Sequence, residues 1–315
     1  MKYPNKLVPG DEIRIVSPSG SVEGQVLDLA AEYLTSEGFK VTFGEHAYGK
    51  FNRFSGTDEE RLNDLQKALD DSNVKAIICG RGGYGLTRII DKVNFEKFKL
   101  NPKFVVGFSD ITALHAAINI HAQACSIHGP MAKSYAIATG KYKTSDGELP
   151  KEEVENHKKG VKMLLDLLKG KRAGYKQTST NPQNRLSSEK ISGVLYGGNL
   201  TLITKLRGTN YDVLKKGGIL LIEDVGERMY SVDRMMQNLR MSGLLSKTKA
   251  IIVGDFSDLD NDSSFGSIEQ LILDATKDYN IPVLFGFPAG HESLNLPLIM
   301  GGRINIDGNT INNHK

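Results

Sequence analysis

Three features of the sequence predict an α/β protein with a parallel sheet in its N-terminal half. Apolar runs of four to six residues alternate with segments of helical periodicity as far as His128. These runs are apolar almost throughout rather than at every second residue, the pattern of strands buried on both faces. A polar, charged stretch from Thr139 to Ser188 then interrupts the rhythm, which restarts at Ile191. The expected layout is an N-terminal α/β domain over 1–140, a connector over 141–188 and a second, β-rich α/β domain over 189–315.

Each element has its own signal. Glu12 to Ser17 (EIRIVS) reads as a strand that Pro18 and Gly20 stop. Val22 to Gly38 carries apolar residues at helical spacing (Val26, Leu27, Leu29, Ala30, Tyr33, Leu34) and ends on glycine. Phe39 to Phe43 is a second strand. Thr57 and Glu60 form a capping-box pair opening a helix with the stripe Leu62, Leu65, Ala68 and Leu69. Val74 to Cys79 is a third strand; a glycine-rich loop follows, then a helix expected from about Leu86. Lys103 to Gly107 is a fourth strand, which turns through Phe108, Ser109 and Asp110 into another helix. Cys125 to Ile127 reads as one more short strand before His128-Gly129-Pro130.

In the connector, Asp146-Gly147, Pro150, Gly170 and Asn181-Pro182 are breakers around one helix near Glu152 to Leu168. The second half offers ISGVLYGGNLTLITKL from Ile191, a strand from Gly218 to Asp224, a helix near Ser231 to Met241 and a strand from Ala250 to Gly254. A helix near Ser267 to Asp278, a strand from Pro282 to Gly286 and a terminal hairpin (RINIDGNTI) complete it. The Asp307-Gly308 pair marks the hairpin turn.

Composition narrows the function. At 39% hydrophobic and 24% charged, the 315-residue chain has enough apolar material for a sizeable core. A formal net charge of +3 supplies no strong field for nucleic acid or a membrane surface, and neither partner is expected. The basic cluster from Lys158 to Arg172 is interleaved with Val161, Leu164, Leu165, Leu167 and Leu168, which is the spacing of a solvated helix face. Cys79 and Cys125 lie in apolar settings with no ligand spacing, which fits a reducing cytoplasm. No secretion signal and no membrane-spanning run are visible.

The residues able to carry chemistry cluster at strand ends, where open parallel sheets place their functional groups. Ser109 stands at a strand-to-helix corner, where it either caps the helix or displays a nucleophile among free amide hydrogens. The G-x-S-x-G elbow does not match, because Ile111 occupies the place of its second glycine. Gly80-Arg81-Gly82-Gly83-Tyr84-Gly85 has four glycines in six residues. It lacks the lysine of a phosphate-binding P-loop and the spacing of a dinucleotide fingerprint, so a pair of amide donors for a carbonyl or carboxylate is the functional reading.

A nucleophilic serine needs a base. His115 and His121 fall on the following helix, and His115 points away as a packing residue; His128 sits in a turn. His291, in the loop LFGFPAGHESLNLPL, is the best placed. Glu223 ends an apolar strand, where a charge is costly unless paired. Asp224 and Glu227 are near neighbours, and the pattern alone does not say which acid works. No metal-ligand spacing is present and no cofactor is implied.

With GRGGYG (80–85), GFSD (107–110), HGP (128–130), YGGNL (196–200), LLIEDVGE (220–227) and FPAGH (287–291) in this order, the chain resembles the LD-carboxypeptidase family. These are serine peptidases that trim murein tetrapeptides, and the family includes the microcin C immunity peptidases. The resemblance implies a triad of Ser109 as nucleophile, Glu223 as orienting acid and His291 as general base, with oxyanion or substrate-binding positions at Gly83, Tyr84 and Asp110. It also implies a smaller, mostly β C-terminal domain, a cytoplasmic homodimer and a murein peptide as substrate. Arg81, Arg228 and Arg234 lie near the matched motifs as candidate carboxylate binders. Two other readings stay open: cleavage of a peptidyl or aminoacyl nucleotide, and non-catalytic binding of a small anion on the glycine loop.

Overall fold

The structure, a computed structural model, describes residues 1–145, 147–171, 177–260 and 262–313. The chain forms two compact units, 1–173 with 293–298, and 174–292 with 299–315.

The first unit runs β1 (Glu12–Val16), α1 (Gly24–Ser36), β2 (Lys40–Phe43), α2 (Asp58–Asp70), β3 (Val74–Cys79), α3 (Glu96–Leu100), β4 (Phe104–Gly107), α4 (Thr112–Ala117), β5 (Ser126–His128), α5 (Ala132–Ala138), β6 (Lys143–Thr144), β7 (Gly147–Glu148) and α6 (Lys151–Leu168). Its main sheet contains the order β5-β4-β3-β1-β2, with every pair among these parallel. The strands are apolar because both faces are covered: Ile13, Ile15, Ile77, Ile78, Val105 and Val106 are fully buried. The step from β1 to β2 runs opposite to the later steps. Right-handed crossovers therefore put α1 on one face and α2, α3 and α4 on the other. Consistently, α1 packs on α5 and α5 on α6, while α2 packs on α3. The order reverses between β1 and β3, and in such sheets the ligand crevice opens at the carboxyl ends there.

The second unit contains β8 (Gln177–Thr178), β9 (Ile191–Asn199), α7 (Leu200–Lys205), β10 (Gly218–Val225), α8 (Met229–Met241), β11 (Thr248–Ser257), α9 (Ile268–Thr276), β12 (Val283–Leu284), β14 (Arg303–Asp307) and β15 (Thr310–Asn313); β13 (Leu298–Met300) straddles the division between the units. Its seven-stranded sheet has the order β12-β11-β10-β9-β14-β15-β8. The first four strands are parallel, and β9, β14, β15 and β8 pair antiparallel. Leu221 and Ile222 at the centre of β10 are fully buried, as its unbroken apolar run requires. The hairpin turn is Gly308-Asn309, with Gly308 at φ 55°.

The capping box forms as the sequence predicts: the Glu60 amide donates to Thr57 Oγ1, and the Thr57 amide donates to Glu60 Oε2. Three expectations need correction. From Leu86 the chain makes two 3-10 turns, Leu86–Arg88 and Ile90–Lys92, before the short α3. The first amide of that stretch donates to a side chain of the next loop, which anchors the turn to the corner after β4. The helix after Ser109 is composite: a 3-10 turn over Ser109–Ile111, then α4, then a π turn over Ile118–Ala122. The polar stretch is not a free-standing connector, since α6 buries Val161, Leu164, Leu165, Leu167 and Leu168 and packs on α5. Its lysines face outward and pair locally, as Lys158 with Glu155 (2.7 Å) and Lys162 with Asp166 (3.3 Å). Asp146 of the expected Asp146-Gly147 turn, and Arg172 of the basic cluster, lie outside the described residues.

Candidate active site

Ser109 leaves the carboxyl end of β4 with φ 62°, in the left-handed region that non-glycine residues avoid. Such strain persists only where the surroundings enforce it, and here two glycines make room for it. A Cβ on Gly107 would lie 2.8 Å from Ile111 Cγ1, so the glycine two places before the serine lets the helix fold back on the strand. A Cβ on Gly82 would lie 2.9 Å from Ser109 Cβ and 3.1 Å from its Oγ. The glycine-rich loop therefore lies directly against the serine. Gly83 follows at φ 102°.

The acid beside the serine is an anchor. Asp110 is buried, and its Oδ2 accepts from Ser19 Oγ (2.6 Å) and from the Leu86 amide (2.9 Å). One carboxyl group thus ties the loop after β4 to the loops after β1 and β3, the two strands flanking the point where the sheet order reverses. Burial pushes its ionisation upward, and the bonds from Ser19 and Leu86 partly offset that. Arg61 reinforces the arrangement from α2. It is fully buried, donates to the carbonyls of Pro18 and Gly85 (3.0 Å), and lies 4.9 Å from the centre of the Phe54 ring. Tyr84 is 43% exposed, packed on Phe54 at 5.9 Å with Arg53 over its ring.

In the second unit the structure pairs Glu223 with His291. Glu223 is fully buried at the end of β10, and its Oε2 lies 3.0 Å from His291 Nδ1. A carboxylate only accepts, so Nδ1 carries the hydrogen, and the neutral tautomer that fits this bond has its lone pair on Nε2. The His291 loop is pinned to β11: the Phe287 amide donates to the Val253 carbonyl (3.1 Å), and the Asp255 amide donates to the Ala289 carbonyl (2.9 Å).

Glu223 is also separated from its neighbours. Successive strand side chains point to opposite faces. Asp224 accordingly turns to Asn199 Nδ2 (2.8 Å) and the Thr201 amide (2.8 Å), holding the start of α7. Glu227 accepts from Thr201 Oγ1 (2.9 Å).

The other candidates are structural or peripheral. His115 is buried; its Nε2 faces the Gly107 carbonyl (2.8 Å) and must donate, so its Nδ1 accepts from Ser126 Oγ (2.9 Å). Burial holds it neutral, lowering its pKa to about 3. His121 stacks on Phe95 at 6.1 Å, and the His128 ring lies 5.8 Å from that of Phe108. Arg81 is exposed and donates to the Ser21 carbonyl (3.3 Å), while Arg228 and Arg234 both lie over the exposed Tyr230 ring. Cys79 and Cys125 are free, buried thiols, and burial raises the pKa of both. Among the described residues no group of three or more His, Cys, Asp or Glu is placed to hold a metal ion.

Sequence reasoning passed over Ser19, Arg61 and Asp255. Ser19 lies in the loop after β1, where a parallel sheet gathers its ligand-binding groups. Asp255 carries the same signal as Glu223, an acid closing an apolar strand. Arg61 has no sequence signal, since its position on α2 reads as an ordinary solvated turn.

The N-terminal part of the chain, residues 13–129, matches the model of the LD-carboxypeptidase N-terminal domain, and residues 192–306 match that of the LD-carboxypeptidase C-terminal domain. A Bacillus subtilis protein named "Probable murein peptide carboxypeptidase" is 30% identical over 310 residues, covering 95% of this chain and 90% of its own. The crystal structure of muramoyltetrapeptide carboxypeptidase from Oxalobacter formigenes superposes with a TM-score of 0.77 at 30% identity, over 95% of this chain and 97% of that one. The microcin C7 self-immunity protein MccF, in its inactive-mutant apo state, shares the fold, with a TM-score of 0.83 at 24% identity over 99% of this chain and 98% of that one. The fold, both domain models and relatives that span nearly the whole length agree: this chain belongs to the LD-carboxypeptidase family.

Proposed function

We propose that this serine-type LD-carboxypeptidase hydrolyses the L,D-peptide bond of a murein tetrapeptide and releases its terminal D-alanine, as a cytoplasmic homodimer in peptidoglycan recycling. The observation that carries this reading is the buried Glu223 carboxylate 3.0 Å from Nδ1 of His291, the orientation a general base needs. The Oxalobacter and Bacillus relatives, named for murein peptides, support the substrate class. Among the described residues no helix is long and apolar enough to cross a membrane.

In this reading His291 Nε2 takes the Ser109 Oγ proton as the oxygen attacks the carbonyl carbon. Glu223 holds the tautomer and stabilises the imidazolium. The carbonyl electron pair moves to oxygen, which accepts hydrogen bonds from the backbone N–H groups of Gly83 and Asp110. Collapse breaks the C–N bond, and the imidazolium proton leaves on the amine of D-alanine. Water, deprotonated by the same imidazole, then releases the acyl group from Ser109.

The test is incubation with L-Lys-D-Ala and meso-diaminopimelyl-D-Ala tetrapeptides, with free D-alanine measured for the wild type, Ser109→Ala and His291→Ala. Release by the wild type alone supports the proposal. Intact tetrapeptides beside hydrolysis of an aminoacyl nucleotide would overturn it in favour of an immunity-type substrate.

A further inference from the structure

A second carboxyl group stands beside the Glu223–His291 pair. Asp255 lies on β11, next to β10 in the sheet. A Cβ on Gly290, the residue before His291, would lie 3.3 Å from Asp255 Oδ2 and 3.3 Å from Glu223 Oε2. Gly290 stands at φ 145°, and a side chain there would press on both carboxyl-bearing side chains, with Asp255 Cβ nearest at 3.0 Å. Asp255 Oδ2 is sealed from solvent and, among the described residues, has no hydrogen-bond partner.

We propose that Asp255 is a positioning residue that holds a proton beside the Glu223–His291 pair, and so keeps the His291 imidazole free to accept one. This inference rests on the role given above to His291. Two neighbouring carboxyl groups with restricted solvent do not both ionise cheaply. Glu223 faces the imidazole N–H and keeps its charge, so the proton goes to Asp255. The groups facing Asp255 are Glu223 from β10, and His291 and Glu292 from the loop after β12. Burial first, then the charges of Glu292 and Glu223, raise the Asp255 pKa to about 7, against the opposing pull of His291 and a bond from the Glu292 amide.

Loss of that proton adds a negative charge beside the ring. The charge favours the imidazolium, in which Nε2 is already occupied and cannot serve as base. At intermediate pH the cluster therefore divides one proton between a productive arrangement, on Asp255, and an unproductive one, on His291. An amide at position 255 removes the charge that favours the unproductive arrangement, so the imidazolium forms only at lower pH.

Two measurements test this. The first is the pH dependence of kcat/KM for D-alanine release, each enzyme scaled to its own maximum. Asp255→Asn is expected to move the acid limb to lower pH by about one unit. A limb that stays in place overturns the inference while leaving the proposed function intact. The second uses no substrate: carbon-13 NMR of the aspartate carboxyls in the full chain, with Asp255→Asn assigning the resonance. The Asp255 carboxyl is expected to titrate near pH 7 and to move lower in Glu223→Gln, where the like charge is gone. A carboxyl that titrates near 4 in the wild type, or that ignores the Glu223 substitution, overturns the inference even if the tetrapeptides prove not to be substrates.

Discussion

Gly82→Ala is a one-carbon perturbation with a direct geometric consequence. Gly82 is absent from the positive-φ positions, so alanine suits its backbone and only the space is contested. The new methyl would lie 2.9 Å from Ser109 Cβ, 3.1 Å from its Oγ and 3.3 Å from the Phe108 carbonyl oxygen. Carbon atoms settle at about 3.5–4.0 Å, so the serine or the loop must retreat by roughly 0.6 Å. Gly82 cannot easily yield, because its own carbonyl accepts from the Gly20 amide at 3.0 Å. Overpacking of this kind costs about 1–3 kcal/mol in stability. A displacement approaching 1 Å at the reacting atom costs on the order of 100-fold in rate. We therefore expect kcat for D-alanine release to fall roughly 10- to 100-fold, with a cooperative unfolding transition retained. The assay is steady-state release of D-alanine beside thermal unfolding. A variant that folds and turns over within twofold of wild type would show that the glycine loop does not constrain Ser109.

Three further outcomes are expected. Arg61→Met leaves the Pro18 and Gly56 carbonyls without the guanidinium donor and the Gly85 carbonyl with only the Arg88 amide and should cost about 3 kcal/mol in urea unfolding; a loss below about 1 kcal/mol would refute its anchoring role. Glu223→Gln should lower kcat by about 10⁴-fold through the wrong tautomer of His291, whereas Asp224→Ala should cost about 2 kcal/mol by orphaning the Thr201 amide; comparable activity losses for the two would contradict the split between them. Finally, Glu12 is pushed up by burial, but bonds from Lys40, Thr42 and Arg14 outweigh that and hold its carboxyl at about 2. Its folded value lies below its unfolded one, so its contribution is present above about pH 4.5 and is lost as pH falls towards 2. Acid unfolding of Glu12→Gln should be correspondingly flatter in that window, and an unchanged acid midpoint and slope would count against the assignment.

Local sequence determined much of this molecule. Apolar runs such as Ala76–Cys79 and Phe104–Val106 specified strands buried on both faces, because consecutive apolar side chains leave both sides of a strand and each side must be covered. The Thr57/Glu60 pair specified its helix start, and the strand-end positions of Ser109 and Glu223 marked them as candidates. Three-dimensional packing decided the rest, because it depends on groups distant along the chain. Glu223 rather than Asp224 meets His291 because the two side chains leave opposite faces of β10, while Glu227 lies beyond the strand and bonds Thr201. The turn at Leu86 is anchored by Asp110, which takes its amide across 24 residues. Arg61 is buried where carbonyls from three separate loops converge on it, and Asp255 stands beside Glu223 because β11 pairs with β10. Periodicity and caps are short-range and can be read along the chain, whereas the partner of a buried charge is set by sheet order and register, which only the folded chain contains.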